Sequence, residues 1–289
     1  MKLEKCLGSD NMSQKSYDGK PTLYLVPTPI GNLDDITLRA IKILNDAEVV
    51  FSEDTRVTIN LLNHLKIRKK ILSAHEHNEE TAKEKMLKYL NDGYSIAMVT
   101  DRGTPIISDP GFKCASYIIE NGYNVVGLPG PTAMIPALIV SGIEPYPFIF
   151  YGFTNSKGSK RVKELKELKK NQFTLIFYET PHRLHEMLLD MLEIFGNRKI
   201  AVVREISKTF EEVYRGYLAD VIEQTAGVKG EIVIIVEGNK ETLTYDILPL
   251  EHIKQMISEG LSEKEAIKAV AKMHQIDKNE LYKEYHIRK

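Results

Sequence analysis

Four turn-rich segments, each following a short β-type run, constrain this chain more than any other feature: PTPIGNL from Pro27, DRGTPIISDPG from Asp101, GLPGPTA from Gly127 and FYETPHR from Phe177. Gly reaches backbone conformations closed to other residues, and Pro fixes φ and removes a donor, so such segments let the main chain pass close to a bound small molecule. Strand, Gly-Pro loop and helix alternate through most of the chain. In open α/β folds of this kind ligands sit beyond the carboxyl ends of the strands, so one reading is that the four loops face a single cofactor. The other is four ordinary βα turns, since Gly and Pro punctuate every such turn.

Hydrophobic period places the elements. Leu23 to Val26 reads as a strand ending at Pro27, and Asp34 and Asp35 are N-cap candidates for a helix carrying Leu38, Ile41 and Leu44. The strand Val49 to Ser52 delivers Glu53, Asp54, Thr55 and Arg56. A helix from about Glu80 to Asn91 leads through Gly93 into the strand Ile96 to Thr100, which presents Asp101. Helix Phe112 to Asn121, strand Val125 to Leu128 and helix Thr132 to Val140 complete an N-terminal α/β domain over 21–152.

The stretch 153–170 reads as a linker helix with Val162, Leu165 and Leu168 on one side. Its Lys157, Lys160, Arg161, Lys163, Lys166, Lys169 and Lys170 outnumber Glu164 and Glu167. That surplus fits either a solvated helix with internal Glu–Lys pairs or an RNA-phosphate contact. A second α/β domain over 171–240 takes the strands Phe173 to Tyr178, Ile200 to Arg204 and Ile232 to Val236, with the helix Leu184 to Phe195. A helical tail follows over 241–289, in which SEKEAIKAVAKMHQIDKNELYKEY from Ser262 reads as two short helices with Ser262 and Asp277 as N-caps and Glu265 completing a capping box.

With 289 residues there is ample material for such a core, and a net charge of -1 argues against a surface that binds polyanions everywhere. Two cysteines far apart, Cys6 and Cys114, make a disulfide framework or thiolate metal site unexpected and fit a reduced, cytoplasmic setting. Residues 1–20 are polar, lack a secretory h-region and read as a disordered leader in which Met12 is an alternative start. No apolar run reaches the roughly 18 residues of a bilayer span. The first strand has no G-x-G-x-x-G after it, and HRLHE from His182 is not H-E-x-x-H, so neither a dinucleotide fingerprint nor a metal site is expected.

The segments LYLVPTPIGNLDDITLRA, FSEDTR, SAHEHNE, TDRGTPIISDPG, LPGPTA, FYETPHR, REISKTFEEVYRG and KGEIVIIVEG occur in this order from Leu23 to Gly238. Together they resemble the bacterial small-subunit ribosomal RNA 2′-O-ribose methyltransferases of the tetrapyrrole methylase superfamily, and the tail resembles that family's extra C-terminal domain. The resemblance implies S-adenosylmethionine bound between two α/β domains, a homodimer, and methylation of a decoding-centre cytidine ribose on small-subunit RNA or on the assembled subunit. Arg102 departs from the pattern, which has a small residue there.

Methyl transfer from a sulfonium is an in-line displacement, so the chief task is to hold the ribose hydroxyl behind the methyl carbon. A nearby carboxylate, histidine or lysine assists by polarising or deprotonating that hydroxyl. Glu53 and Glu179, each at a strand end, are the expected catalytic pair, ahead of Asp54, His75, Glu76, His182 and Lys208. Expected cofactor contacts are Pro29, Ile30 and Gly31 on one wall, Asp101, Gly103, Thr104 and Ile107 on a second, and Thr132 and Ala133 at a helix start, with Tyr178 over the adenine. Expected RNA contacts are Arg56, His75, Arg183, Arg204 and Lys208, joined by Arg215 and the Lys66 to Lys70 cluster. Glu53 with Arg56 and Glu179 with Arg183 also read as structural ion pairs. Two other functions fit the residues: methylation of a tetrapyrrole or other small molecule on the same fold, and a non-enzymatic RNA-binding module.

Overall fold

The computed structural model describes residues 14–16, 18–240, 247–274 and 276–287. They fall into two compact units, Met1–Gly238 and Asn239–Lys289.

The first sheet consists of β1 (Thr22–Leu25), β2 (Val49–Ser52), β3 (Lys70–Ser73), β4 (Ile96–Val99) and β5 (Asn124–Gly127). All pairs are parallel, in the order β3-β2-β4-β1-β5. Both faces are covered by helices α1 (Leu38–Asp46), α2 (Thr55–His64), α3 (Glu79–Asn91), α4 (Phe112–Glu120) and α5 (Met134–Val140). Hence the central strands read VVFS and IAMV and are buried throughout. Alternation divides them: Val49 and Phe51 join a cluster with Met86, Leu90 and Ile118, while Val50 joins Ala40, Leu44 and Leu62 on the opposite face. The chain leaves β1 toward β2 on one side and leaves β4 toward β5 on the other. Neighbours β1 and β4 therefore flank the topological switch point, where open sheets bind ligands.

The second sheet takes β6 (Phe148–Phe153), β7 (Thr174–Glu179), β8 (Lys199–Arg204), β9 (Glu212–Tyr217) and β10 (Ile232–Val236), in the order β6-β7-β10-β8-β9. Only the β6–β7 pair is parallel. Helices α6 (Gly158–Leu168), α7 (Pro181–Phe195) and α8 (Leu218–Gln224) supply one apolar face, with Leu165, Leu184, Leu188 and Val221 against Phe177 and Ile234. The other face packs Ile176, Val203 and Ile235 against Ile30, Ala137 and Leu138, so the loop after β1 and helix α5 join the two sheets.

Several expected boundaries move. Residues 148–153 pair with β7 instead of closing the first domain at 152, because FIFYGF is a strand in its own right, bulged between Phe150 and Gly152. Residues 153–170 are part of the second core: Leu165 is fully buried and Arg161, 4 % exposed, lies 2.6 Å from Asp190 on α7. Arg161 is thus a packing cation and does not belong to a phosphate-binding face. Thr55 and Arg56 open the helix α2, capped by Asp54 through a side-chain bond to the Arg56 N–H. Of the leader, Gln14 pairs its side-chain amide with both backbone groups of Val125 on the edge strand β5, and Asp18 accepts from Asn124. Its residues 1–13 and 17, with Cys6 and Met12, lie outside the described residues.

The described residues of the second unit form α9 (Pro249–Ser258), α10 (Glu263–His274) and α11 (Lys278–Ile287), packed around Ile253, Ile267, Val270 and Leu281; α10 and α11 are the two helices expected from Ser262 onward, and α9 precedes them. Ser262 and Glu265 form the reciprocal capping box, and Asp277 Oδ1 accepts from the N–H groups of Asn279 and Glu280. Among the described residues no helix is long and apolar enough to cross a membrane.

Candidate active site

A cleft of about 300 Å³ opens between the loops that follow β1, β4 and β5 and the ends of β7 and β10. Its first wall is fixed by the switch point. Thr28 and Gly103 exchange two backbone hydrogen bonds of 2.9 Å, tying the loop after β1 to the loop after β4. Gly103 has φ +84°, and a Cβ there would lie 3.4 Å from Ile30, so a side chain meets both backbone strain and a close neighbour. Thr104 Oγ1 donates to Pro131 O, which binds this loop to the one after β5.

The segment 101–111 then runs across to the second sheet. Ile106 and Ser108 are non-glycine residues with φ of 78° and 64°, and a β-branched residue in that region stores strain. Ser108 Oγ stands 2.9 Å from where a Gly152 Cβ would be, so the lack of a side chain at Gly152 makes room for it. Glu79, 7 % exposed at the start of α3, accepts from the Gly111 N–H and fixes the far end of the segment.

Three carboxylates gather behind this loop. Thr100 Oγ1 donates to Glu53 Oε2 at 2.8 Å and is also hydrogen-bonded to the Asp109 side chain. Asp101 Oδ1 accepts from the Asp54 N–H at 3.0 Å. Burial, then the charges of Glu53 and Asp101, push the Asp109 carboxyl up to about 7 against the pull of the Thr100 hydroxyl. Burial also raises Asp101.

Glu179 and Tyr178, consecutive on β7, line the opposite wall. Glu179 is 2 % exposed; its Oε1 accepts from the Thr180 N–H, and its Oε2 lies 3.2 Å from Arg183 Nη2 but has no hydrogen-bond partner. Burial raises its pKa, opposed by the Thr180 N–H and Arg183. The Tyr178 hydroxyl is hydrogen-bonded to Thr132, and its ring stands edge-on to Phe150 and Phe153, at 4.9 and 5.6 Å between centroids. Phe153 is half exposed and lines the cleft. At the mouth Arg102 pairs with Glu231, and Glu231 and Glu205 both hold Lys208 Nζ, at 3.0 and 2.8 Å. The unexpected Arg102 thus finds its partner on the second sheet's side of the cleft.

Of the residues expected around the cofactor, Ile30, Gly103, Thr104, Ile107, Thr132, Ala133 and Tyr178 line the cleft. Pro29, Gly31 and Asp101 stand outside that lining: Pro29 is buried, Gly31 lies under the Lys208 stem, and Asp101 turns to α2. Glu179 lines the cleft, whereas Glu53 reaches it through Thr100. The expected RNA cations are spread out. Arg56 pairs with Asp54, which it holds down to about 2. Arg204 pairs with Glu212, and Arg183 donates to the Thr154 and Asn155 carbonyls as well as facing Glu179. His75 turns its Nδ1 to the His77 N–H, inside its own loop. Sequence reasoning passed over Asp109, Phe153, Thr180 and Ile206, all in the lining. Asp109 had a signal, an acid within a Gly-Pro turn segment already singled out.

These residues fit S-adenosylmethionine. Ile30, Ile107, Ala133 and Val233 with the rings of Tyr178 and Phe153 offer an apolar wall for an adenine, and the acidic groups Glu179 and Glu231 suit its cationic end. The Thr104, Thr132 and Thr180 hydroxyls and Arg102 suit a carboxylate.

The model of the family Tetrapyrrole (Corrin/Porphyrin) Methylases matches residues 22–222. The Bacillus subtilis protein named ribosomal RNA small subunit methyltransferase I is 45 % identical over 95 % of this chain and 98 % of its own length. Proteins of the same name from Halalkalibacterium halodurans and Vibrio cholerae are 44 % and 42 % identical, covering 95 % and 92 % of this chain and 99 % and 94 % of theirs. Among solved structures, a uroporphyrin-III-C-methyltransferase from Thermus thermophilus and a cobalt precorrin-4 methyltransferase superpose with TM-scores of 0.54 and 0.57. Each is 19 % identical and covers 75 % of this chain and 94 % of its own, a likeness of fold. On this sequence similarity and this cleft, the chain belongs to the tetrapyrrole methylase family, on the branch of the small-subunit ribosomal RNA methyltransferases I.

Proposed function

We propose that this protein uses S-adenosylmethionine to methylate the 2′-hydroxyl of a cytidine ribose in the decoding centre of small-subunit ribosomal RNA. One observation carries the reading: the similarity to proteins named for small-subunit RNA methylation runs through both sheets and the helical tail at 42 to 45 % identity. Bound in the cleft, the cofactor supplies an electrophilic methyl carbon.

The chain's own work is positional. The loops after β1, β4 and β5 hold one reactant against Tyr178 and Phe153, and the mouth between Arg102 and Lys208 admits a ribose from the open side. Glu179 from the cleft wall and Glu53 through Thr100 orient the hydroxyl and set the charge around it. Arg56, Arg204 and Lys208 exchange their carboxylate partners for phosphates as RNA docks, with the Lys66 to Lys70 cluster adding contacts. Helix α5 exposes Ile135 and Ile139 on one side, and Tyr146 beyond it is 79 % exposed. This apolar surface suits a second copy of the chain, so the protein acts as a homodimer in the cytoplasm, where its RNA is.

Incubation with methyl-labelled S-adenosylmethionine and either small-subunit RNA, assembled subunits or uroporphyrinogen tests the reading. Label is expected on one ribose in RNA or subunits. Label on the tetrapyrrole alone would replace it with a small-molecule methyltransferase, and no cofactor binding with RNA binding intact would make it an RNA-binding module.

A further inference from the structure

We infer that Asp109 is the group that takes the proton from the ribose hydroxyl, with Thr100 and Glu53 as positioning residues behind it; the inference rests on the proposed RNA methylation. Geometry leads to it. Asp109 lines the cleft itself, whereas Glu53 stands behind Thr100 and is not in the lining. Glu179 lines the cleft too, but its Oε1 is engaged by the Thr180 N–H and its Oε2 faces Arg183. Ile106 and Ser108 just before Asp109 hold left-handed backbone, and Gly111 just after it is held by Glu79, so Asp109 is fixed from both sides.

Thr100 links the two carboxyl groups: its Oγ1 donates to Glu53 Oε2 at 2.8 Å, and its hydroxyl draws the Asp109 carboxyl toward the ionised form, the form that accepts a proton. In the reaction the ribose O–H bond breaks and its proton passes to the Asp109 carboxylate. The oxygen's electron pair forms the new O–CH3 bond while the methyl–sulfur bond breaks and leaves its pair on sulfur. A carboxyl held near 7 is half ionised at neutral pH, which suits an acceptor that must also release the proton afterwards. The charged and titratable groups facing it are Glu53 and Asp101 from the first sheet and Tyr178 from the second, with Glu179, Arg102 and Glu231 in the same lining.

Two measurements test this. In the free protein, carbon-13 NMR of labelled aspartates, assigned with Asp109→Asn, is expected to show one carboxyl titrating between pH 6 and 8 that the variant lacks. Single-turnover methylation of small-subunit RNA at saturating cofactor and RNA is expected to rise with pH through the same range in the wild type. In Asp109→Asn it should fall about a hundredfold or more and lose that rise, with cofactor affinity by calorimetry within about threefold. Wild-type protein inactive on the RNA would overturn the proposed function. Active wild type with Asp109→Asn near its rate, or Asp109 titrating below pH 5, would overturn the assignment alone.

Discussion

Arg183 Nη2 lies 3.2 Å from the buried Glu179 Oε2, one helical turn along the start of α7, and the same nitrogen donates to the Thr154 carbonyl at 3.0 Å. This arrangement clamps the end of β7 to the strand end of β6 and sets the cleft wall. Glu179→Ala removes the charge and the Thr180 N–H acceptor together, leaving Arg183 without its carboxylate. Urea unfolding is expected to record a loss of about 3 kcal/mol, the low end for breaking a buried pair because Arg183 keeps its carbonyl bonds. A loss under about 0.5 kcal/mol would make the pair incidental to the wall.

The Asp109 carboxyl also governs stability. Its pKa rises from the usual 3.8 to about 7 on folding, so the folded chain binds the proton more tightly than the unfolded one. Its contribution is fully present below about pH 4 and lost as pH rises through about 7. Against wild type, Asp109→Asn should therefore gain stability between pH 4 and 8, on the order of a few kcal/mol. Thermal unfolding across that range checks it, and parallel curves would contradict the burial of this carboxyl.

Cofactor binding depends on close backbone approach. Gly103→Val adds a branched side chain at φ +84° beside Ile30, and Ala133→Phe fills the lining directly. Both are expected to weaken S-adenosylmethionine binding by at least about a hundredfold in calorimetry without metal. Unchanged affinity in both would remove these loops from the site.

Charge reversal of Lys66, Arg68 and Lys69, between α2 and the edge strand β3, and of Lys70, the first residue of β3, should weaken RNA binding and flatten its salt dependence. Each lost phosphate contact lowers the slope by about 0.7 to 0.9. Cofactor affinity should stay as it is, because none of the four lines the cleft. An equal slope would make the cluster an ordinary solvated turn.

Four of the five strands of the first sheet were legible because runs such as VVFS and IAMV are apolar on both faces, whereas β3, whose KILS opens on an exposed lysine, was not read. The turns named in advance carry much of the cleft lining, since Gly103 and Ala133 are small where the backbone must come close. Other features were hidden by what decides them. β6 belongs to the second sheet through pairing with a strand more than twenty residues later, which local pattern does not record. Arg161 reads as a surface cation until Asp190, 29 residues on, is brought beside it. Asp109 reads as a turn residue, because its chemistry comes from Thr100, Glu53 and the burial that tertiary packing imposes. The RNA cations were chosen by charge alone, and charge does not say which carboxylate a residue meets first.

Ribose methylation mapped across small-subunit RNA from cells lacking this protein tests the central claim most directly. The account predicts the loss of one 2′-O-methyl group, on a decoding-centre cytidine, with its return on supplying the wild-type protein but not Gly103→Val. A map identical to that of unmodified cells would contradict it.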